Sequence, residues 1–394
     1  MLAIKDGRLL TMAGSEGLGE VARGTVLLDG GRIVAVGPSD EVRIPPGARI
    51  INAENHWVLP GLTDPHVHIG LFEEGVGTEN IDGNEMTDPV TPQVRAIDAI
   101  NPGDIAFADA VAAGYTTVLS TPGSGNIVGG QSAVMKTHGT SVDEMVILEP
   151  AGVKMAFGGN PKGQFPGKAK GKYPQTRMGI ASILRQALVD AQDYLEKGKS
   201  SSGCDEPVKR DLKLEPLAKV LAGELVARIH VARGDDILTI FRLADEFGFQ
   251  YTLEHVTEGH LLVEEIRDRD VPCIVGPMFS PRNPSEVKNL TFRTPGVLAD
   301  AGVTVALTTD HPIVPLKHGV VQAAVAVKVG MGVDDALRAL TINGARIMGV
   351  EDRVGSIEEG KDADLVIMTG HPFDLMSTVQ TTIINGKVVF DRGC

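Results

Sequence analysis

Apolar positions along the chain follow two rhythms. In residues 1–58, short apolar stretches alternate with polar positions around Asp-Gly and Gly-Gly pairs: AIKDGRLLTM, GTVLLDGGRIVAVG and ARIINAENHWVL. Alternation with period two, broken by such pairs, predicts β-hairpins. Residues 354–394 repeat the pattern in VGSIEEGKDADLVIMTG and TTIINGKVVFD, where Asn385-Gly386 predicts a type I′ turn. Two short strand groups make poor separate sheets. The economical arrangement is one small β-sandwich domain built from 1–58 and 354–394, with 59–353 inserted as a second domain.

Between these ends, apolar runs of strand length recur, each followed by a helical or loop segment. Strands are predicted near Gly61–Ile69, Thr116–Thr121, Met145–Glu149, Val153–Phe157, Ala227–Val231, Gln250–Glu254, Pro272–Val275 and Thr304–Thr309. Helical periodicity covers Asp235–Phe247, with Asp235 as N-cap, and Asp335–Met348. Buried strands alternating with helices predict an α/β fold with a parallel sheet. Eight is the count that closes a (β/α)8, TIM-like barrel; a doubly wound open sheet is the alternative that the pattern alone leaves. Pro122–Thr140 and Gly158–Arg177 interrupt the rhythm as glycine-rich loops, placed where barrel loops shape a site.

The stretch Val58–Gly70, VLPGLTDPHVHIG, sets His66 and His68 two residues apart at the end of an apolar strand. Residues i and i+2 of a strand share a face, so both imidazoles converge. A lone histidine there reads as a core residue; a pair reads as metal ligands. His230 in ARIHVA, His255 in YTLEHVTEGH and Asp310 in VALTTDHP also end apolar strands. Each alone is more often structural. A carboxylate after Val-Ala-Leu-Thr-Thr is costly to bury unless it is paired or metal-bound. Together they gather at the functional rim of the predicted fold.

PGLTDPHVHIG, ARIHVA, LEHVTEGH, LTTDHP and the C-terminal VGSIEEGKDADLVIM resemble the amidohydrolase superfamily, in particular the imidazolonepropionase-related metal-dependent hydrolases. The resemblance covers essentially the whole chain and is specific for the superfamily rather than for a substrate. It implies that His66, His68 and Asp310 bind one divalent metal. His230 and His255 would bind a second, or one of them would contact the substrate carbonyl in a one-metal version. Asp310 would be the general base. Lysines in the fourth strand of two-metal members are carboxylated to bridge the ions, which implies Lys154 here, in AGVKMAFGGNP. The competing reading of Lys154 is a snorkelling amine or one paired with Glu149. His and carboxylate donors suit zinc first, with manganese, iron or cobalt as alternatives.

The implied activity is hydrolysis of a C–N bond in a small amide or cyclic amide. The alternatives are a one-metal deaminase of a small heterocycle and a non-catalytic scaffold relative. Homo-oligomers accompany this architecture in the resembled family. His311, His260 and His138 read as neighbours of the site at most, and His56, His318 and His371 as structural. No Walker, G-x-S-x-G or H-E-x-x-H pattern occurs.

Composition narrows the classes further. A net charge of −14, one Trp and four Tyr argue against a nucleic-acid surface. No apolar run approaches the ~20 residues of a membrane span, and the N-terminus lacks a signal-peptide pattern. Cys204, Cys273 and Cys394 are few and dispersed, which favours a reducing cytoplasm. Lys162, Lys168, Lys170 and Lys172 read as a solvated loop in an acidic protein.

Overall fold

The computed structural model describes residues 1–14, 17–75, 77, 81–162, 171–200, 209–281 and 285–393. Lys168, Lys170, Cys204, Cys394 and the middle of the expected Gly158–Arg177 loop lie outside the described residues.

The chain opens with an antiparallel meander of β1 (Leu2–Leu10), β2 (Glu20–Asp29) and β3 (Arg32–Pro38). Gly30 and Gly31, at φ 55° and 82°, supply the left-handed backbone that the two-residue turn between β2 and β3 requires. β4 (Arg49–Asn52) and β5 (Trp57–Pro60) add to β1 in parallel. Gly61 then lets the chain pass close to the side chain of Thr116, which a Cβ at 61 would strike.

β6 (Leu62–Val67) pairs in parallel with β7 (Tyr115–Ser120), which follows α1 (Ile105–Ala112). Asp104 caps α1 by accepting the N–H of Ala106. The expected loop 122–140 contains two strands instead. β8 (Val128–Gln131) and β9 (Ala133–Lys136) form one bent segment that turns at Ser132. Its second half runs antiparallel to β7, its first half antiparallel to β11 (Val153–Ala156). This segment joins neighbours that the third expected strand was to separate. That strand exists as β10 (Val146–Leu148), after the single turn α2 (Val142–Met145), but it is a half-buried edge strand antiparallel to β9. Three half-buried residues do not make the buried run that a central parallel strand needs.

After α3 (Arg177–Ser200) and α4 (Glu215–Leu221), parallel pairing continues from β11 to β12 (Ala227–Val231). α5 (Gly234–Phe247) leads to β13 (Tyr251–His255), α6 (Val263–Arg267) to β14 (Cys273–Val275), and α7 (Thr294–Asp300) to β15 (Val305–Leu307). Each strand pairs in parallel with the next. Hydrogen bonds return from the end of β15 to β6: Thr308 Oγ1 donates to the His66 carbonyl at 2.6 Å, and His68 N–H to the His311 carbonyl at 2.9 Å.

One face of these strands, with Val153, Met155, Ile229, Val231, Leu253, Cys273 and Val305, enters the main hydrophobic core. The opposite face carries Lys154, Arg228, His230, Thr252 and Glu254, all buried. Near the other strand end, Ile274 and Ala306 pack on Ile347.

α5 begins one residue before the expectation, with Arg233 rather than Asp235 at the cap position; Gly248, at φ 72°, ends it. α8 (Gly319–Lys328) follows β15. The expected helix 335–348 is two helices, α9 (Val333–Ala339) and α10 (Ile342–Met348). Thr63 Oγ1 lies 3.3 and 2.9 Å from the carbonyls of Leu340 and Thr341, which a continuous helix would use internally.

β16 (Leu365–Met368) pairs antiparallel with β5, and β17 (Val379–Ile384) and β18 (Lys387–Asp391) extend the same sheet. Asn385 and Gly386, at φ 49° and 73°, make its last turn. Ile4, Val26, Leu28 and Val58 share one core with Leu365, Ile367 and Ile383. The buried Lys136 of β9 ties this sheet to the parallel strands, reaching Asp364 at 2.5 Å and Asp362 at 2.9 Å. Among the described residues, no helix is long and apolar enough to cross a membrane.

Candidate metal centre

Three strand ends and the turn after β15 deliver side chains to one buried point. His66 is fully buried, with Nδ1 2.7 Å from Glu254 Oε2. Its Nε2 lies 3.5 Å from Asp310 Oδ1 and 3.3 Å from Lys154 Nζ. His68 Nδ1 is 2.7 Å from the Thr121 carbonyl, and its Nε2 is 3.1 Å from Asp310 Oδ1. His255 Nδ1 is 2.8 Å from the Gly276 carbonyl. The His255 ring packs edge-on against both His66, at 4.6 Å between centroids, and His230, at 4.4 Å. His66, His255 and Asp310 each offer a ligand atom, all within 4.8 Å of one another.

Backbone strain contributes to this convergence. His255, Val256 and Asp310 sit at φ 75°, 49° and 52°, in the left-handed region that non-glycine residues avoid. The turn at His255 breaks the alternation of β13, so His255 and the adjacent Glu254 both serve the centre.

Tautomers follow from the partners. A carbonyl can only accept, so His68 and His255 carry their protons on Nδ1. Their Nε2 lone pairs are then directed inward. Among the described residues, His255 Nε2, His230 Nδ1 and Asp310 Oδ1 are buried with no hydrogen-bond partner. Lone pairs of His68 Nε2 and an Asp310 carboxylate oxygen 3.1 Å apart repel unless a cation stands between them. Three neutral imidazoles and a carboxylate fit a divalent first-row ion.

The electrostatics agree. Burial pushes the pKa of His68 down, that of His230 well down and that of His255 to about 3, so all three are neutral at pH 7. Burial would raise Asp310, but His255, His66 and His68 outweigh it and hold the carboxyl well below its usual range. His66 differs. Burial and Lys154 oppose its protonation, yet Glu254 and Asp310 outweigh them and raise its pKa.

Lys154 is fully buried, with Nζ 3.3 Å from both His66 Nε2 and Glu254 Oε2. Glu149, the alternative partner, instead faces Arg95 at 3.8 Å. Burial lowers the pKa of Lys154, and Glu254 opposes the shift.

Glu254 escaped the sequence reading. It accepts from His66, faces Lys154, and lies 4.0 Å from Arg228 Nη1. Burial alone would raise its pKa; His66 and Lys154 hold it far below the carboxylate range. The available signal was an acid in an apolar strand at the same parity as Thr252. Asp64 was also passed over: it accepts from Thr309 N–H and Oγ1 at 2.8 and 2.9 Å and fixes β6 against the turn carrying Asp310.

His311 is buried beside the centre, with Nδ1 accepting from Leu316 N–H. His260 bonds Thr294 Oγ1, His138 and His318 are exposed, His56 contacts the Glu54 carbonyl, and His371 packs on Trp57. Lys172 reaches Asp88 at 3.6 Å.

A sequence profile of the amidohydrolase family matches residues 253–389. The amidohydrolase tasK of Hapsidospora irregularis is 28% identical over 404 residues, covering 93% of this chain; the chain spans 40% of that protein's length. The imidazolonepropionase of Symbiobacterium thermophilum is 24% identical, with 100% of this chain and 98% of that protein covered. The crystal structure of an amidohydrolase from Thermotoga maritima MSB8 superposes with a TM-score of 0.93 at 42% identity, over the full length of both chains.

Proposed function

Because the chain belongs to the amidohydrolase superfamily, whose chemistry makes it a hydrolase of carbon–nitrogen bonds, we propose that it cleaves a small amide or cyclic amide at a divalent-metal centre. His66, His68, His230, His255 and Asp310 would hold one or two ions, zinc being the best match to the donors. Lys154 would be a further ligand once its amine is carboxylated. The observation that carries this reading is the set of inward lone pairs on His68, His255 and Asp310, of which His255 Nε2 and Asp310 Oδ1 have no hydrogen-bond partner among the described residues.

A bound divalent ion supplies Lewis acidity, which lowers the pKa of water toward ~7 and polarises a carbonyl. Asp310, ionised at neutral pH, accepts the proton of the attacking water and returns it to the departing nitrogen. His255, fixed by the Gly276 carbonyl, faces the same space and would contact the scissile carbonyl where a single ion is bound. The buried Glu254 orients His66.

The strands from β6 to β15 suit a TIM-like barrel over 59–353, with the bent β8–β9 segment in the third position. Residues 1–58 and 354–394 then form the composite β-sandwich unit.

The test is metal analysis followed by N-acyl amino acids, dipeptides, lactams and aminated heterocycles as substrates. Hydrolysis should vanish on chelation and return with zinc. Asp310→Asn should lower kcat about 10²–10⁴-fold. Release of ammonia from aminated heterocycles alone would establish the deaminase instead. A protein that takes up no metal would refute the proposal.

A further inference from the structure

The parallel ladder between β14 and β15 ends at Val275, whose carbonyl accepts the Thr308 N–H at 3.0 Å. Past that point each strand end turns to serve the centre. Gly276 gives its carbonyl to His255 Nδ1 at 2.8 Å, and Pro277 has no N–H to give. Thr308 Oγ1 accepts the Asp310 N–H at 2.9 Å and donates to the His66 carbonyl. The two ends run close together: Gly276 sits at φ 138°, and a Cβ there would strike the Thr308 carbonyl oxygen. Two buried backbone groups then need partners, the Met278 N–H and the Thr308 carbonyl. One side chain takes both. Gln322, fully buried on α8, accepts the Met278 N–H on Oε1 at 2.7 Å and donates from Nε2 to the Thr308 carbonyl at 2.7 Å. The amide has one orientation, because an N–H only donates and a carbonyl only accepts.

This clamp bears on a choice made by His255. Its Nδ1–H has a second acceptor nearby, Asp310 Oδ2, at 4.0 Å. A carboxylate makes the stronger, charge-assisted bond. His255 and Asp310 also stand at φ 75° and 52°, a backbone conformation that persists only where neighbours over-determine it. The place of the Gly276 carbonyl therefore decides which acceptor the imidazole keeps. Bonded to Gly276, His255 leaves both Asp310 oxygens for a cation. Bonded to Asp310, it turns its ring and occupies one of them.

We infer that Gln322 is a positioning residue for the centre: by tying the ends of β14 and β15 to one amide, it keeps the His255 Nδ1–H on the Gly276 carbonyl and off Asp310, so that both side chains stay available to a metal ion. This deepens the proposed function, resting on its reading of His255 and Asp310 as ligands. Gln322 acts through the backbone at Met278 and Thr308.

Two measurements on the full chain test it without reading hydrolysis. Gln322→Met keeps the length of the side chain and removes both bonds. In metal-free protein labelled with ¹⁵N-histidine, the His255 Nδ1–H resonance should move downfield in this variant, as the proton passes to the carboxylate in a shorter bond. Zinc affinity, read by chelator competition, should fall about 10–100-fold. Gln322→Glu supplies a rescue. Burial favours its protonated form, which accepts from Met278 and donates to Thr308 as the amide does. Its zinc deficit against the wild type should therefore shrink as pH falls from about 8 to about 6. Should the methionine variant not fold, the glutamate variant carries the comparison between the two pH values. A glutamine that only stabilised the fold would, when replaced, lower the urea midpoint and leave zinc affinity and the His255 resonance unchanged; that result overturns the inference. So does a glutamate variant whose zinc deficit persists undiminished at the lower pH. A protein that shows the expected resonance and affinities yet hydrolyses no amide refutes the proposed function and leaves this inference standing.

Discussion

Replacing Glu254 by glutamine tests how the centre is held together. Glutamine keeps the size of the side chain and can still accept the His66 N–H, so the change isolates one charge. Glu254 lies 3.3 Å from Lys154 Nζ and 4.0 Å from Arg228 Nη1, and all three side chains are buried. Two buried cations lose their counter-ion in Glu254→Gln. Arg228 cannot shed its proton. Lys154 can, and releasing it at pH 7 from a reference value near 10.4 costs about 5 kcal/mol, which caps its share. Removal of one partner from a buried pair costs about 3–5 kcal/mol. The metal-free variant should therefore lose about 3–5 kcal/mol, read as a lower urea midpoint with unchanged slope. In a Lys154→Met background the same substitution should cost at least about 2 kcal/mol less, because the ammonium is already gone. Additivity of the two substitutions within about 0.5 kcal/mol would show that the pair is not coupled and refute the reasoning.

Two further outcomes follow from buried charge. Burial pushes the His311 pKa down to about 4 and that of His255 to about 3, against 6.5 for an unfolded histidine. Between pH 6.5 and those values the unfolded chain binds more protons than the native one, so metal-free stability falls as pH falls through that window. His311→Gln should remove up to about 3 kcal/mol of the loss at pH 4; urea titrations giving the wild-type difference between pH 7 and pH 4.5 would contradict this. Lys136→Met strips the shared cation from Asp364 and Asp362, of which Asp362 keeps Arg32 and Arg353 at 2.6 and 2.9 Å. It should cost about 3–5 kcal/mol in thermal or urea unfolding, and a cost under about 1 kcal/mol would show the link to be unimportant.

Legibility in the sequence tracked the range of the cause. His66 and His68 announce a shared face because the period of a strand is local, and Asp310 stands out because an acid ends an apolar run. Glu254 was hidden by the same rule. Strict alternation puts it opposite His255, and only the left-handed turn at His255 serves both to one point. The β8–β9 segment was masked by its glycines, which suggest a loop until two flanking strands supply hydrogen bonds. The helix spanning 335–348 was broken by Thr63, a residue far away in sequence.

The pairing of β5 with β16, where Val58 faces Ile367, constrains synthesis on the ribosome. At about 5–20 residues per second, roughly 15–60 s separate the emergence of those two strands. β5 thus waits for its neighbour, and through that interval it offers an open edge to nascent-chain chaperones or to other unfinished polypeptides. A stop codon between β15 and β16 would leave β5 permanently without that neighbour.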